Sequence, residues 1–224
     1  MYFPNNLKDF GVILKGASVA RIDTVSDNFD HCYMVNNFDR NINNADSEYS
    51  IVAPVLKGKN IVHFVNRLNT APLLPEHYKE LGITEIQFTK SEYDSMTSQM
   101  RGLYEGYGLN CHLLPEELLG YNDFFAGTGN YAKKHPNTGV LAIIYAAHIL
   151  KPKNLWVVGL DFYQNDYLFR RPWQAPLKQQ KAKMDRTNMV EHFIDVVERN
   201  PDVNFKMVTN ASLPSVNNLD FFFF

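Results

Sequence analysis

The sequence lacks the features that mark several specialised classes of protein. It has only 2 cysteines among 224 residues, too few for a disulfide scaffold and without the CxxC spacing of a zinc site. The 22 Lys and Arg residues nearly balance the 24 Asp and Glu residues, so no overall field attracts nucleic acid. No stretch reaches the roughly 18 apolar residues of a membrane span, and no signal peptide is evident. We therefore expect a soluble protein of the reducing cytoplasm, with no nucleic-acid partner.

Several nucleotide and metal motifs are also missing. No GxGxxG follows the first apolar run and no GxxxxGK[ST] occurs, which argues against the usual dinucleotide and Walker-type sites. The chain has no Asp-X-Asp clamp, and none of its 7 histidines form HxH or HExxH pairs. We therefore expect neither a bound metal nor another cofactor. Any phosphate chemistry would depend on hydroxyls, amides and a helix end.

The sequence does contain short apolar runs rich in β-branched and aromatic residues, separated by helical patterns or by Gly, Asn and Pro clusters. This alternation predicts an α/β fold with a mainly parallel sheet of about seven strands. No linker divides the chain, so we expect residues 1–224 to form a single domain. The predicted strands are Gly11–Lys15, His31–Asn36, Asn60–Asn66, Thr84–Thr89, Leu109–Leu114, Asn154–Gly159 and Asn204–Thr209.

Three segments have helical patterns. The periodicity predicts helices over Ser91–Tyr107, Gly139–Leu150 and Thr187–Arg199, the second of them apolar nearly all round. His148 lies within that apolar helix and fits a buried core residue, whereas His192 fits the surface. His63 lies within a predicted strand, where a core role and a functional role both remain open.

Polar residues follow several predicted strands, at the sheet edge where α/β proteins bind ligands. The polar residues lie in Lys15-Gly16-Ala17-Ser18 at the end of the first strand, Asn36-Asn37 at the second, Asn66 at the third and Gly159-Leu160-Asp161-Phe162-Tyr163 at the sixth. Asn137-Thr138-Gly139 opens the apolar helix, where unpaired N–H groups favour an anion. The same residues also fit plain turns, and Thr138 fits a helix cap.

The residues around this edge resemble one known family. Asn137-Thr138-Gly139-Val140, an apolar helix, a strand and the segment Gly159–Phe169, GLDFYQNDYLF, are together similar to the bacterial lipooligosaccharide sialyltransferases of glycosyltransferase family 42. Lys15-Gly16-Ala17-Ser18 stands where that family has Gly-Asn-Gly-Pro-Ser. Asn36-Asn37-Phe38 resembles its Asn-Gln-Phe, and Asn66 resembles its Asn after the third strand.

The resemblance implies a three-layer α/β/α, Rossmann-like domain of the GT-A variant. It further implies inverting, metal-independent transfer of a sugar from a cytidine-monophosphate (CMP) donor to a glycan hydroxyl. Tyr163 and Tyr167 would donate hydrogen bonds to the phosphate, and Asp161 and Phe162 would help to hold the nucleotide. The other residues assigned to the nucleotide and donor-sugar pocket are Lys15, Gly16, Ser18, Asn36, Asn37, Asn66, Asn137, Thr138 and Gly139.

Three positions depart from the family pattern. Lys15 replaces an asparagine and retains a group that binds anions, and His135 replaces an arginine. At the position of the family's base histidine the chain offers Lys183 and Asp185. Lysine is a poor base unless its pKa is lowered. A glycosyltransferase and a nucleotide- or sugar-binding protein without transfer activity therefore both remain open.

The run Phe221–Phe224 has two interpretations. It is either a tail that packs on its own domain or on another subunit of a homo-oligomer, or a weak peripheral contact with the inner face of a membrane.

Overall fold

A single parallel sheet organises the structure. The computed structural model describes residues 3–4, 6–36, 38, 47–65, 73–89, 95–113, 137–162, 164, 168–169 and 189–222. Within these residues eight strands pair in the order β5-β4-β3-β2-β1-β6-β7-β8, and every pairing is parallel. The strands are β1 Asp9–Ile13, β2 His31–Val35, β3 Asn60–Val65, β4 Glu85–Phe88, β5 Asn110–His112, β6 Asn154–Val158, β7 Asn204–Val208 and β8 Leu219–Phe222.

Helices cover both faces of the sheet. The α-helices are α1 Glu48–Leu56, α2 Pro75–Leu81, α3 Ser95–Gly106, α4 Thr138–Tyr145 and α5 Met189–Arg199. One core joins α4 and α5 to the first face, and a second core joins α1, α2 and α3 to the other. Because both faces are covered, the central strands β1, β2, β3 and β6 are largely apolar after their first residue instead of alternating. The predicted α/β fold with three layers is confirmed.

Two 3-10 segments and one π turn complete the regular structure of the described residues. The segments Ala17–Thr24 and Ser26–Asn28 link β1 to β2, and Ala146–Leu150 continues α4 as a π turn. The sequence patterns did not predict α1 or α2. Helix α1 contains Pro54, which obscures its pattern, and α2 has only seven residues, with proline at its start and Gly82 in the left-handed conformation at its end.

The seven predicted strands are present, and β8 is an eighth that the sequence analysis missed. Phe221 and Phe222 belong to β8 and pair with β7, and the ring of Phe222 lies 5.1 Å from that of Trp156. The interpretation that the phenylalanine run packs on its own domain is confirmed for these two residues. Phe223 and Phe224 lie outside the described residues. No helix in the described ranges is long and apolar enough to cross a membrane.

The structure corrects two histidine assignments. His148 is exposed, because it lies in the π turn at the end of α4. His192 is fully buried, because it shares a face of α5 with Met189, Phe193 and Val196. The expected burial of His148 and exposure of His192 were therefore both wrong.

The chain order creates a switch point between β1 and β6. From β1 the chain adds β2 to β5 outward on one side, and it then returns to place β6 on the other side. Ile13 and Val158, the last residues of β1 and β6, are direct neighbours. The connections on the two sides of this point lead away from each other, which leaves a crevice at the carboxyl ends of the strands.

Candidate functional site

The loops that follow β1 and β6 touch each other backbone to backbone. The N–H of Gly16 donates to the carbonyl of Gly159 at 2.9 Å. A Cβ on Gly16 would lie 2.6 Å from that carbonyl oxygen and 2.7 Å from Asp161 Oδ2. Gly159 has φ +81°, and a Cβ there would lie 2.3 Å from the carbonyl oxygen of Leu14. Only glycine allows this approach at either position.

Asp161 joins the ends of three strands. Its side chain is 4% exposed, and its carboxylate accepts hydrogen bonds from Ser18 N at 2.8 Å, Ser18 Oγ at 2.6 Å and Asn210 N at 2.9 Å. The hydroxyl of Thr209 lies 3.0 Å from Asp161 Oδ1 and 2.7 Å from the Leu160 carbonyl. Bonds to an ionised carboxylate are stronger than neutral ones. The carboxylate thus ties the loop after β1 to the loops after β6 and β7.

Two further contacts fix the loop after β6. The Phe162 ring is buried in the core, with its centroid 5.5 Å from that of Phe193 in α5. Gln164 Nε2 donates to the Ser212 carbonyl at 3.3 Å, and Ser212 N donates to Gln164 Oε1 at 3.0 Å. The loop after β7, which the sequence analysis did not include, is therefore part of the site. The polar pair Thr209-Asn210, at the end of the last predicted strand, is the sequence feature that could have indicated this loop.

The N-terminus of α4 lies against the end of β1. A Cβ on Gly139 would lie 2.2 Å from Leu14 Cδ2, which shows how closely the two elements approach. Asn137 caps the helix: its Oδ1 accepts from Val140 N at 2.8 Å, and its Nδ2 donates to Met189 Sδ at 3.1 Å. The interpretation of Thr138 as the cap was wrong. The first turn of α4 places its positive end beside the crevice.

A buried histidine supports the tip of β2. Asn36 follows β2 with φ +63°. Its carbonyl lies 2.7 Å from His63 Nε2, and His63 Nδ1 lies 2.8 Å from Tyr78 Oη. Burial lowers the pKa of His63 to about 4, although the Asn36 carbonyl opposes the shift. The imidazole is therefore neutral at physiological pH.

The structure brings part of the predicted site together. Gly16, Ser18 and Asp161 are in contact, Gly139 adjoins the end of β1, and Lys15 and Asn36 follow neighbouring strands at the same edge. The predicted residues outside the described ranges are Asn37, Asn66, His135, Tyr163, Tyr167, Lys183 and Asp185. In the part of the chain that is described, no group of three or more His, Cys, Asp or Glu side chains is placed to hold a metal ion.

Solved sialyltransferases share this fold. The Campylobacter jejuni sialyltransferase CstII in complex with cytidine-5'-monophosphate has a TM-score of 0.58 and 18% identity, with 94% of this chain and 83% of that chain covered. The monofunctional α-2,3-sialyltransferase Cst-I from the same organism has a TM-score of 0.57 and 15% identity, with 97% and 83% covered. The resemblance predicted from the sequence is thus confirmed in the fold.

A mammalian sialyltransferase in complex with Gal-beta-1-3GalNAc-ortho-nitrophenol is a more distant structural neighbour. It has a TM-score of 0.50 and 10% identity, with 89% of this chain and 69% of that chain covered. No protein-family model and no curated protein sequence matches the chain.

Replacing Gly16 with alanine should lower the free energy of unfolding by about 1 to 3 kcal/mol, since the new methyl group overlaps the Gly159 carbonyl and the Asp161 carboxylate. Gly102→Ala is the matched control, because Gly102 lies in α3 with nothing within 4 Å of an added Cβ. That control should be neutral or stabilising by up to about 1 kcal/mol. Urea unfolding of both variants measures the difference, and equal effects would contradict the close contact.

His63 should make the protein less stable as the pH falls. Its folded pKa of about 4 lies below the unfolded value of 6.5, so between these values the unfolded chain binds the extra proton. The neutral His63 ring makes its full contribution to the free energy of unfolding above pH 6.5. As the pH falls toward 4 that contribution is lost, a total of about 3 kcal/mol.

Urea unfolding at several pH values in this window would test the effect. His63→Gln should flatten the dependence, whereas His148→Gln, which alters an exposed imidazole, should retain most of it. A wild-type slope that persists in His63→Gln would assign the effect to other groups.

Proposed function

We propose that the protein is a sialyltransferase-like glycosyltransferase that transfers a sugar from a CMP-sugar to a glycan hydroxyl, with inversion and without a metal. One observation carries the proposal: the loops after β1 and β6 are locked together by Gly16, Ser18 and Asp161 at the switch point, directly beside the N-terminus of α4. This arrangement occurs in a fold shared with a sialyltransferase whose structure contains CMP.

The crevice suits a phosphate. The positive end of the α4 dipole favours an anion, and Thr138, the first residue of α4, carries a hydroxyl at this end. Lys15, two residues after β1, adds a positive charge at the same edge. Gly16 and Gly139 let the loop after β1 pack directly against the loop after β6 and against α4, because neither position has room for a side chain. In this proposal the CMP phosphate binds at the sheet edge beside the ends of β1 and α4.

Asp161 contributes indirectly. Its carboxylate already accepts hydrogen bonds from Ser18 and Asn210, so its role is to hold the loops that form the nucleotide pocket. Asn36, Asn37 and Asn66 would line the part of the pocket that holds the donor sugar. Phe162 contributes through its anchored ring, which fixes the chain immediately before Tyr163.

The chemical step is a displacement at the anomeric carbon. The acceptor oxygen forms a bond to that carbon as the bond to the phosphate oxygen breaks, and CMP departs with the electron pair. Tyr163 and Tyr167 donate hydrogen bonds to the phosphate oxygens, since a phenol with a reference pKa near 10 remains protonated at neutral pH. Charge that grows on the leaving group strengthens those bonds in the transition state.

The acceptor proton requires a base. We assign this role to Asp185, a carboxylate at neutral pH, with Lys183 as the competing candidate that first needs a lowered pKa. His135 would lie toward the acceptor or the sugar acid. The absence of the family's histidine from this position favours one alternative: a protein that binds the nucleotide or sugar in the same site without transferring it.

Calorimetric titration with CMP and with uridine monophosphate, combined with release of CMP from CMP-sugars, would test both functions. We expect CMP to bind more tightly than the uridine nucleotide and CMP-sugar to be turned over. Binding without turnover in the presence of glycan acceptors would leave only the binding protein, and failure to bind either nucleotide would contradict the proposed site.

Tyr163→Phe should lower kcat more than it weakens donor binding, because its hydrogen bond gains strength as the phosphate acquires charge. Tyr107→Phe is the control, since Tyr107 is an exposed residue that follows α3. Steady-state kinetics with a fixed acceptor separates kcat from KM. Unchanged kcat in Tyr163→Phe would remove this tyrosine from the chemical step.

A further inference from the structure

We infer that His63 is a positioning residue of the donor site: its ring N–H holds the Asn36 carbonyl and thereby fixes the left-handed turn at the tip of β2. The inference rests on the proposed function, in which Asn36 lines the donor pocket. His63 does not reach the sheet edge itself. It lies within β3, paired with Met34 of β2 and Ile86 of β4, and is completely buried.

Asn36 is held from both sides of its backbone. Its N–H donates to the Phe64 carbonyl at 2.9 Å, which continues the ladder between β2 and β3 by one more bond. Its own carbonyl then turns away from that ladder and meets His63 Nε2 at 2.7 Å. The left-handed turn takes the Asn36 carbonyl out of the β2–β3 ladder. The His63 side chain, from the middle of β3, then supplies the hydrogen-bond partner that this carbonyl would otherwise have in the ladder.

The chemistry of the partners dictates the tautomer of His63. A carbonyl oxygen can only accept, so the proton lies on Nε2. Burial keeps the imidazole neutral, which leaves Nδ1 as an acceptor for the Tyr78 hydroxyl at 2.8 Å. Tyr78 is itself buried in α2 and shares a side-chain hydrogen bond with Tyr104 of α3. The ring therefore cannot flip without breaking both contacts.

The fixed turn matters because the left-handed conformation is costly for a residue with a side chain. The cost arises because Cβ crowds the following carbonyl oxygen, and it is smaller for asparagine than for most residues. Without the His63 bond, Asn36 would gain by relaxing to an extended conformation, and this would redirect its side chain. Asn36 belongs to the predicted donor pocket. A buried residue thereby sets the direction of the chain at the ligand-binding edge.

Two amide substitutions separate positioning from general stability. His63→Gln places an N–H close to the position of Nε2 and can still reach the Asn36 carbonyl. His63→Asn carries its amide nearer to the position of Nδ1 and cannot. Both remove the imidazole from the same buried site, so their shared effect on thermal unfolding measures the structural cost.

Donor binding should distinguish the two variants. We expect His63→Gln to bind CMP within about threefold of the wild type, and His63→Asn to bind it more weakly on the order of tenfold, the scale of one lost hydrogen bond. Titrations are carried out at a temperature where thermal scans show both variants folded. Equal CMP affinities in the two variants would overturn the positioning role.

Nitrogen NMR of ¹⁵N-histidine-labelled wild-type protein gives a readout that needs neither ligand nor variant. The expected result is a fully buried imidazole in the Nε2–H form that does not titrate between pH 5 and pH 8. An Nδ1–H form would overturn the inference even if CMP binds. Conversely, if the ring is in the Nε2–H form but the protein does not bind CMP, the proposed function is contradicted. The hydrogen bond between His63 and Asn36 would then stand without a role in donor binding.

Discussion

The meeting of β1 and β6 is the contact on which the rest of the candidate site depends. These strands are far apart in sequence, and their following loops approach so closely that Gly16 and Gly159 exclude any side chain. The Asp161 carboxylate then closes the junction through Ser18 and Asn210. Because a buried carboxylate requires such donors, the junction forms only when three strands are aligned. The geometry of the candidate site is thus a consequence of the sheet order.

Much of this arrangement was predictable from local chemistry. Continuous apolar runs indicated a parallel sheet, and polar residues at the ends of those runs indicated the edge where the candidate site lies. Gly16, Ser18 and Asp161 were singled out in this way and prove to be in contact. Their exact relation was not predictable, because a residue type does not reveal whether a carboxylate faces a ligand or binds its own chain.

The errors have physical causes. His192 was expected on the surface, although its spacing from Met189, Phe193 and Val196 places it on the buried face of α5. The short helix α2 and the strand β8 give too few residues for a clear period. The role of Asn137 as cap also depended on where α4 begins, which sequence patterns locate only to within a few residues. The sequence placed His63 in a strand but gave no sign of its hydrogen bonds, because its partners Asn36 and Tyr78 come from other segments of the chain.

The edge strand β8 carries one further consequence. Its sequence Leu-Asp-Phe-Phe is short and largely apolar, and it is the last strand of the sheet in the described residues. The exposed Asp220 carboxylate, paired with Lys206, interrupts that apolar rim with charge. An incoming strand from another molecule would have to strip water from the ion pair before it could hydrogen-bond to the rim. The Asp220–Lys206 ion pair thus sets a desolvation cost against strand pairing at this end of the described sheet.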